Sequence, residues 1–163
     1  MNRYYFLFIS FFVFALDQTS KFFLKNRLSF GEEKEVFSFF TIVHWQNRGG
    51  LWGFMGEASE KVVFLLFIIL PFLGVAFLVY LFLQSKDKVD IILISIMLGG
   101  ALGNITDRIF TGSVTDFLYF HFPDRSWSWP AFNIADATLS TSLLIFLVKT
   151  LIKKERKDAP YTG

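Results

Sequence analysis

The chain has 163 residues, 53% of them hydrophobic and 20% aromatic, with 23 phenylalanines. That apolar load exceeds what a water-soluble domain of this length carries and points to an integral membrane protein. A net charge of +2 gives no footing for nucleic-acid binding, and the absence of cysteine excludes disulfides, thiolate metal sites and a cysteine nucleophile; two histidines, His44 and His121, are too few for a histidine-rich metal centre.

In chain order, Arg3 precedes an apolar run over Tyr4–Leu24. No A-x-A cleavage pattern follows it and the apolar phase continues as KFFL, so the run reads as a retained first span and not as a cleaved leader. The segment EEKEVFSFFTIVHWQ (Glu32–Gln46) is rich in β-branched and aromatic residues and predicts a short hairpin or strand pair. Val62–Gln84 is an uncharged second span that contains Pro71 and Gly74, both tolerated in membrane helices. Ile91–Phe110 and Asn133–Ile152 are the third and fourth, each near the ~20 residues a bilayer requires. Between them, Tyr119–Phe132 is aromatic, carries Pro123 and Pro130, and reads as an interfacial loop or short helix. The expected fold is an all-α membrane protein: four transmembrane helices in one domain over residues 1–163, with the longer loops 25–61 and 111–132 on one side. No internal repeat is present.

Lys and Arg residues set the orientation. Arg3, Lys86, Lys88 and the tail residues Lys153, Lys154, Arg156 and Lys157 share one side; Lys25, Arg27, Lys34, Arg48 and Arg125 are spread over the two opposite loops. The bias places both termini in the cytoplasm. All four tryptophans, Trp45, Trp52, Trp127 and Trp129, fall in the two outer loops, as expected of segments lying against a membrane surface.

In this topology the polar residues converge just inside the outer surface. Asp17 and Lys21 lie near the outer end of the first span, Asn104, Asp107 and Arg108 near that of the third, and Asn133 and Asp136 open the fourth, with Asn47 and Asp116 in the outer loops. Ionisable groups at membrane depth are costly and need a partner or a purpose. Asn104, Asp107 and Arg108 stand at i, i+3 and i+4 and share a helix face, while Gly99 and Gly103 form a small-xxx-small pair that permits close helix approach. Asp17 and Lys21 form an i, i+4 pair that serves equally as a helix-end anchor. Asp107, beside Arg108, reads as a salt-bridged scaffold acid. Asn133 with Asp136 fits an N-cap and its N3 partner as well as it fits a site. Asp116 and Asp136 stand apart, because each sits in apolar context with no cation within four residues. Two such carboxylates brought together share one proton, and can activate water and polarise a carbonyl without metal or covalent intermediate. A proton-coupled carrier and an assembly subunit remain alternatives, although carriers place such groups near the midplane. A Ser20/Lys21 nucleophile pair is a third, disfavoured because adjacent helical residues point about 100° apart.

The segments DQTSK (Asp17–Lys21), NRGGLWG (Asn47–Gly53), GGALGNITDRIFTGSVTDF (Gly99–Phe117) and PAFNIAD (Pro130–Asp136), in this order on four spans, resemble lipoprotein signal peptidases, also called signal peptidase II. Gly50-Leu51 and Ser20 stand where that family more often has Ala-Ala and Thr. The resemblance implies a bacterial inner-membrane aspartic peptidase that cleaves prolipoproteins before a diacylglyceryl-modified cysteine, with no cofactor and no metal. It implies Asp116 and Asp136 as the catalytic pair. Asp17, Asn47, Asn104, Arg108 and Asn133 correspond to the other polar site positions, with Lys21 and Gly49 in the same motifs. It further implies a small extracytoplasmic β-sheet containing the Glu32–Gln46 segment, contact with membrane lipids, inhibition by globomycin-type cyclic peptides, and a monomer as the simplest state.

Overall fold

A computed structural model describes residues 2–48, 62 and 65–158, with the side chains beyond residue 153 excepted. Four helices are long and apolar enough to cross a membrane, over Arg3–Lys25, Leu65–Gln84, Lys88–Thr111 and Ile134–Lys153. The first and third agree closely with the sequence reading, and the second is described from Leu65. The fourth runs on as a helix to Asp158, five residues or more past the apolar stretch, because the basic tail continues it.

Helix α1 (Leu7–Lys25) follows a 3₁₀ turn over Arg3–Phe6. Its buried residues are Ser10, Val13, Asp17, Lys21 and Leu24, spaced three or four apart, while Phe8, Phe11, Phe12, Phe22 and Phe23 are exposed. The helix is polar toward its neighbours and aromatic toward its surroundings, the inverse of a helix in a water-soluble protein. Lipid solvates the phenylalanines, and only the protein interior can satisfy Asp17 and Lys21.

A π-helical turn (Leu65–Ile69) runs directly into α2 (Leu70–Gln84), and Pro71, which has no N–H to give to the preceding turn, lies just past their junction. Only Phe82 of α2 is buried. Helix α3 (Lys88–Thr111) begins because the Asp87 carboxylate accepts the amides of Val89 (2.8 Å) and Asp90 (3.3 Å), and it ends at Gly112, whose φ of +70° suits glycine. Helix α3 is the central post. It carries twelve of the buried positions and packs on α1, α2 and α4 (Ile134–Asp158).

Three glycines permit this packing. A Cβ on Gly99 would lie 2.5 Å from the Ser10 carbonyl oxygen and 2.8 Å from Val13 Cβ of α1; one on Gly103 would lie 2.5 Å from Asp17 Oδ2. The expected small-xxx-small contact is therefore the α1–α3 interface. Gly100, one position on, faces α4, where a Cβ would meet the Ala135 carbonyl at 2.7 Å. The close approach lets Ser10 Oγ donate to the Ser95 carbonyl at 2.7 Å.

Outside the helices, β1 (Glu33–Phe37) and β2 (Phe40–Asn47) form the expected hairpin. A third strand, β3 (Val114–Phe120), pairs antiparallel with β2, with Trp45 opposite Asp116 and Asn47 opposite Val114. The sequence reading left Asp116 in a loop. The strand forms by pairing with β2, and because that partner is some seventy positions away (Asp116 with Trp45) local patterning does not reveal it. The 121–132 segment is a loop closed by the bridge His121↔Ser128, not a helix.

At the end of the bundle away from the sheet, Arg3 donates to the Phe82 (3.2 Å) and Leu83 carbonyls of α2, and Lys149 of α4 bridges Asp87 (2.7 Å) and Asp90 (2.5 Å). Replacing Gly99 with Ala should destabilise the protein by about 1–3 kcal/mol through overpacking. Gly74→Ala, where a Cβ meets nothing within 4 Å, should be neutral or slightly stabilising, since alanine is the better helix former. Paired thermal-unfolding curves in detergent check both; equal melting temperatures for the two variants would contradict the packing described.

Candidate active site

Asp116 is the third residue of β3 and is 3% exposed. Asp136 is the third residue of α4. Asn133, immediately before that helix, joins them. Its amide nitrogen lies 2.9 Å from Asp116 Oδ1, 3.1 Å from Asn104 Oδ1 and 3.3 Å from the Thr115 carbonyl. Its oxygen accepts the Asp136 backbone N–H at 2.9 Å, and its own N–H reaches Asp136 Oδ2 at 3.3 Å. This reciprocal pair is a capping box. The capping and site readings of Asn133 and Asp136 thus describe the same contacts. Asn47 of β2 donates to Asp116 Oδ2 at 3.2 Å, and Asn104 of α3 donates to Asp136 Oδ1 at 2.7 Å.

Beneath the two carboxylates lies a buried ionic cluster. Lys21, 2% exposed, contacts Asp17 Oδ2 at 2.7 Å, Asp107 Oδ2 at 3.2 Å and Asn104 Oδ1 at 3.0 Å, which matches its three donors. Asp17 is 0% and Asp107 4% exposed. Asp17 Oδ1 accepts the Ala135 N–H at 2.9 Å and Asp107 Oδ2 accepts the Thr115 N–H at 3.0 Å. Gln18 spans both acids at 3.2 Å each.

Asp107 therefore pairs with Lys21, and the salt bridge expected with Arg108 is replaced. Successive residues on a helix diverge by about 100°, so Asp107 faces inward while Arg108 turns to the adjoining cavity. Arg108 is half-buried and donates to the Asn104 carbonyl at 3.3 Å. Ser20 donates to the Asp17 carbonyl at 2.7 Å and Lys21 is held by acids, which removes the Ser/Lys alternative. Gly49 and Trp52 lie outside the described residues. Gln18 was missed, although it stands inside DQTSK beside Asp17.

A cavity of about 640 Å³ opens between α2, α3 and α4. Leu70, Val75, Leu78, Met97, Leu143 and Phe146 are among its walls, and among the described residues Asn104 and Arg108 are its polar ones. Asn104 connects this apolar space directly to Asp136. Among the described residues, no group of three or more His, Cys, Asp or Glu side chains is placed to hold a metal ion.

Burial, and then the neighbouring Asp136 charge, push the Asp116 carboxyl up to about 7, against the opposing hydrogen bonds from Asn47 and Asn133. A pair of carboxylates, Asp116 buried and Asp136 half-buried, of which one keeps its proton near neutrality is the arrangement of an aspartic hydrolase.

A family model described as signal peptidase II matches residues 9–152. The chain belongs to the signal peptidase II family. It is similar to the lipoprotein signal peptidase of Serratia marcescens, 34% identical over 95% of this chain and 89% of that protein, and to that of Anaplasma phagocytophilum, 32% identical over 90% and 92%. Among solved structures, a bacterial membrane enzyme superposes with a TM-score of 0.78 at 29% identity, covering 97% of this chain and 93% of the other. As a signal peptidase II the protein is an aspartic peptidase and a multi-pass membrane protein.

In this signal peptidase II, Asp116 also carries a stability cost. A carboxyl raised on folding favours the folded state fully below its ordinary value of 3.8, and loses that contribution as pH rises through 7. Asp116→Asn should therefore gain about 2–3 kcal/mol relative to the parent between pH 5 and pH 8, at 1.36 kcal/mol per unit. Thermal unfolding at the two pH values measures this, and a pH-independent difference would contradict it.

Proposed function

We propose that this signal peptidase II removes signal peptides from prolipoproteins, cutting immediately before a diacylglyceryl-modified cysteine, with Asp116 and Asp136 activating the attacking water. Its similarity to the lipoprotein signal peptidases of Serratia marcescens and Anaplasma phagocytophilum supports the substrate class. The observation that carries the chemistry is the Asn133 bridge, which binds Asp116 with its amide and caps Asp136 with its carbonyl and backbone N–H.

The two acids take different roles. Asp136 lies in the first turn of α4, where helix N–H dipoles favour an anion, and accepts from Asn104 and Asn133. It serves as the base. Asp116 keeps the shared proton and serves as the acid. In the first step Asp136 takes a proton from water, the water oxygen bonds to the scissile carbonyl carbon, and Asp116 protonates the carbonyl oxygen. In the second, Asp116 recovers a proton from the resulting diol as the C–N bond breaks, and Asp136 protonates the leaving nitrogen. Both acids end as they began.

The precursor enters laterally from the membrane with its apolar portion in the cavity between α2, α3 and α4, and Arg108 and the side-chain amides hold the peptide backbone. A lipid-modified substrate accounts for a site at the end of an apolar groove. The protein acts in the bacterial inner membrane as one catalytic domain, with both termini cytoplasmic and the dyad near the outer face. Globomycin-type peptides compete for the same site, and a monomer suffices.

Asp116→Asn and Asp136→Asn should each lower cleavage of a diacylglyceryl-modified precursor by about 10²–10⁴-fold while the protein stays folded. Normal processing by both variants would sink the assignment. In the parent enzyme, the rate should fall as pH rises through about 7, where Asp116 gives up its proton; a rate that keeps climbing to pH 9 would exclude it as the acid.

A further inference from the structure

The two dyad aspartates come from elements that share little else, a strand and a helix start, yet each is held through the residue just before it. Thr115 N–H is bound by Asp107, and Ala135 N–H by Asp17. Lys21 joins those two acids, at 3.2 and 2.7 Å. Its third donor meets Asn104 Oδ1, which fixes that amide with its NH₂ group toward Asp136. The chain of contacts runs from Asp116 through Thr115, Asp107, Lys21, Asp17 and Ala135 to Asp136, with one cation at its centre.

We infer that Lys21 is a positioning residue for catalysis, which fixes the separation of Asp116 and Asp136 and the direction of the Asn104 amide without touching substrate. The inference rests on the two-aspartate reading above. Lys21 reaches neither the cavity wall nor solvent. Lys21 holds two acids, and each of them binds backbone next to a dyad member. Near Asp116 the charged groups are Asp136 of α4, Lys21 of α1, and Arg108 and Asp107 of α3. Burial and Asp136 raise the Asp116 carboxyl, and the Lys21 charge opposes that rise.

Lys21→Met leaves two buried acids uncompensated and is expected to unfold readily. The deciding variant is therefore Asp17→Asn/Lys21→Met, in which the net charge of Asp17, Lys21 and Asp107 stays at −1. With the dyad misplaced by an ångström, kcat on a diacylglyceryl-modified precursor should drop about 100-fold with KM little changed. Because the Lys21 and Asp17 charges leave together, the alkaline limb of the rate profile should hold its place, so the loss is one of geometry and not of charge. A folded double variant with parental kcat overturns the role of Lys21. Asp116→Asn runs in the same assay. If it too cleaves normally, the two-aspartate reading fails; if it is inactive while the double variant behaves as the parent, only the Lys21 inference fails.

Discussion

The burial of one ammonium group constrains the molecule more than any other contact. An unpaired charge in a low-dielectric interior costs several kcal/mol, so Lys21 can occupy its position only if α1, α3 and their acids arrive together. Asp17 and Asp107, once held there, have lone pairs left over, and these take the first-turn N–H of α4 and an N–H of β3. Four elements are thus fixed relative to one another by a set of polar contacts about a single nitrogen atom. In a membrane there is no hydrophobic force to drive helices together, and van der Waals fit and interhelical hydrogen bonds have to replace it. Gly99, Gly100 and Gly103 supply the fit on two adjoining faces of α3, and the Lys21 cluster supplies the hydrogen bonds.

The helices are not equally bound to this centre. Helix α3 buries its surface on three neighbours, whereas α2 buries only Phe82 and meets α3 through the small cluster of Phe82, Ile91, Ile94, Met97 and Leu98. Arg3 holds the far end of α2 by its terminal carbonyls, and its other end borders the cavity through Leu66 and Leu70. A wall pinned at one end and loosely packed along its length leaves space for an apolar guest at little expense in contacts.

Much of this was legible in the sequence, for reasons that differ from element to element. The spans followed from hydropathy and length, since a bilayer sets both. The polar convergence followed from topology, and Asp116 and Asp136 were singled out by the absence of cations near them along the chain. Three features were not legible. Strand β3 depends on a partner distant in sequence, and VTDFLYF taken alone has an acid where a strand is least expected to carry one. The partner of Asp107 was misassigned to Arg108, because adjacency in sequence outweighed the angle between successive helical residues; the true partner is 86 positions away on α1. Lys21 was visible as the mate of Asp17, but its second acid and its hold on Asn104 exist only in three dimensions.

The capping box at the start of α4 has a consequence for biosynthesis. Asp136 is oriented by the same hydrogen bonds that wind the first turn of the last span, so its carboxylate acquires its direction only when that turn forms. On the two-aspartate proposal, everything translated before α4, Asp116 included, holds one half of the dyad. The peptidase would then be inert in the membrane until α4 has been threaded and docked, a latency that follows from chain order.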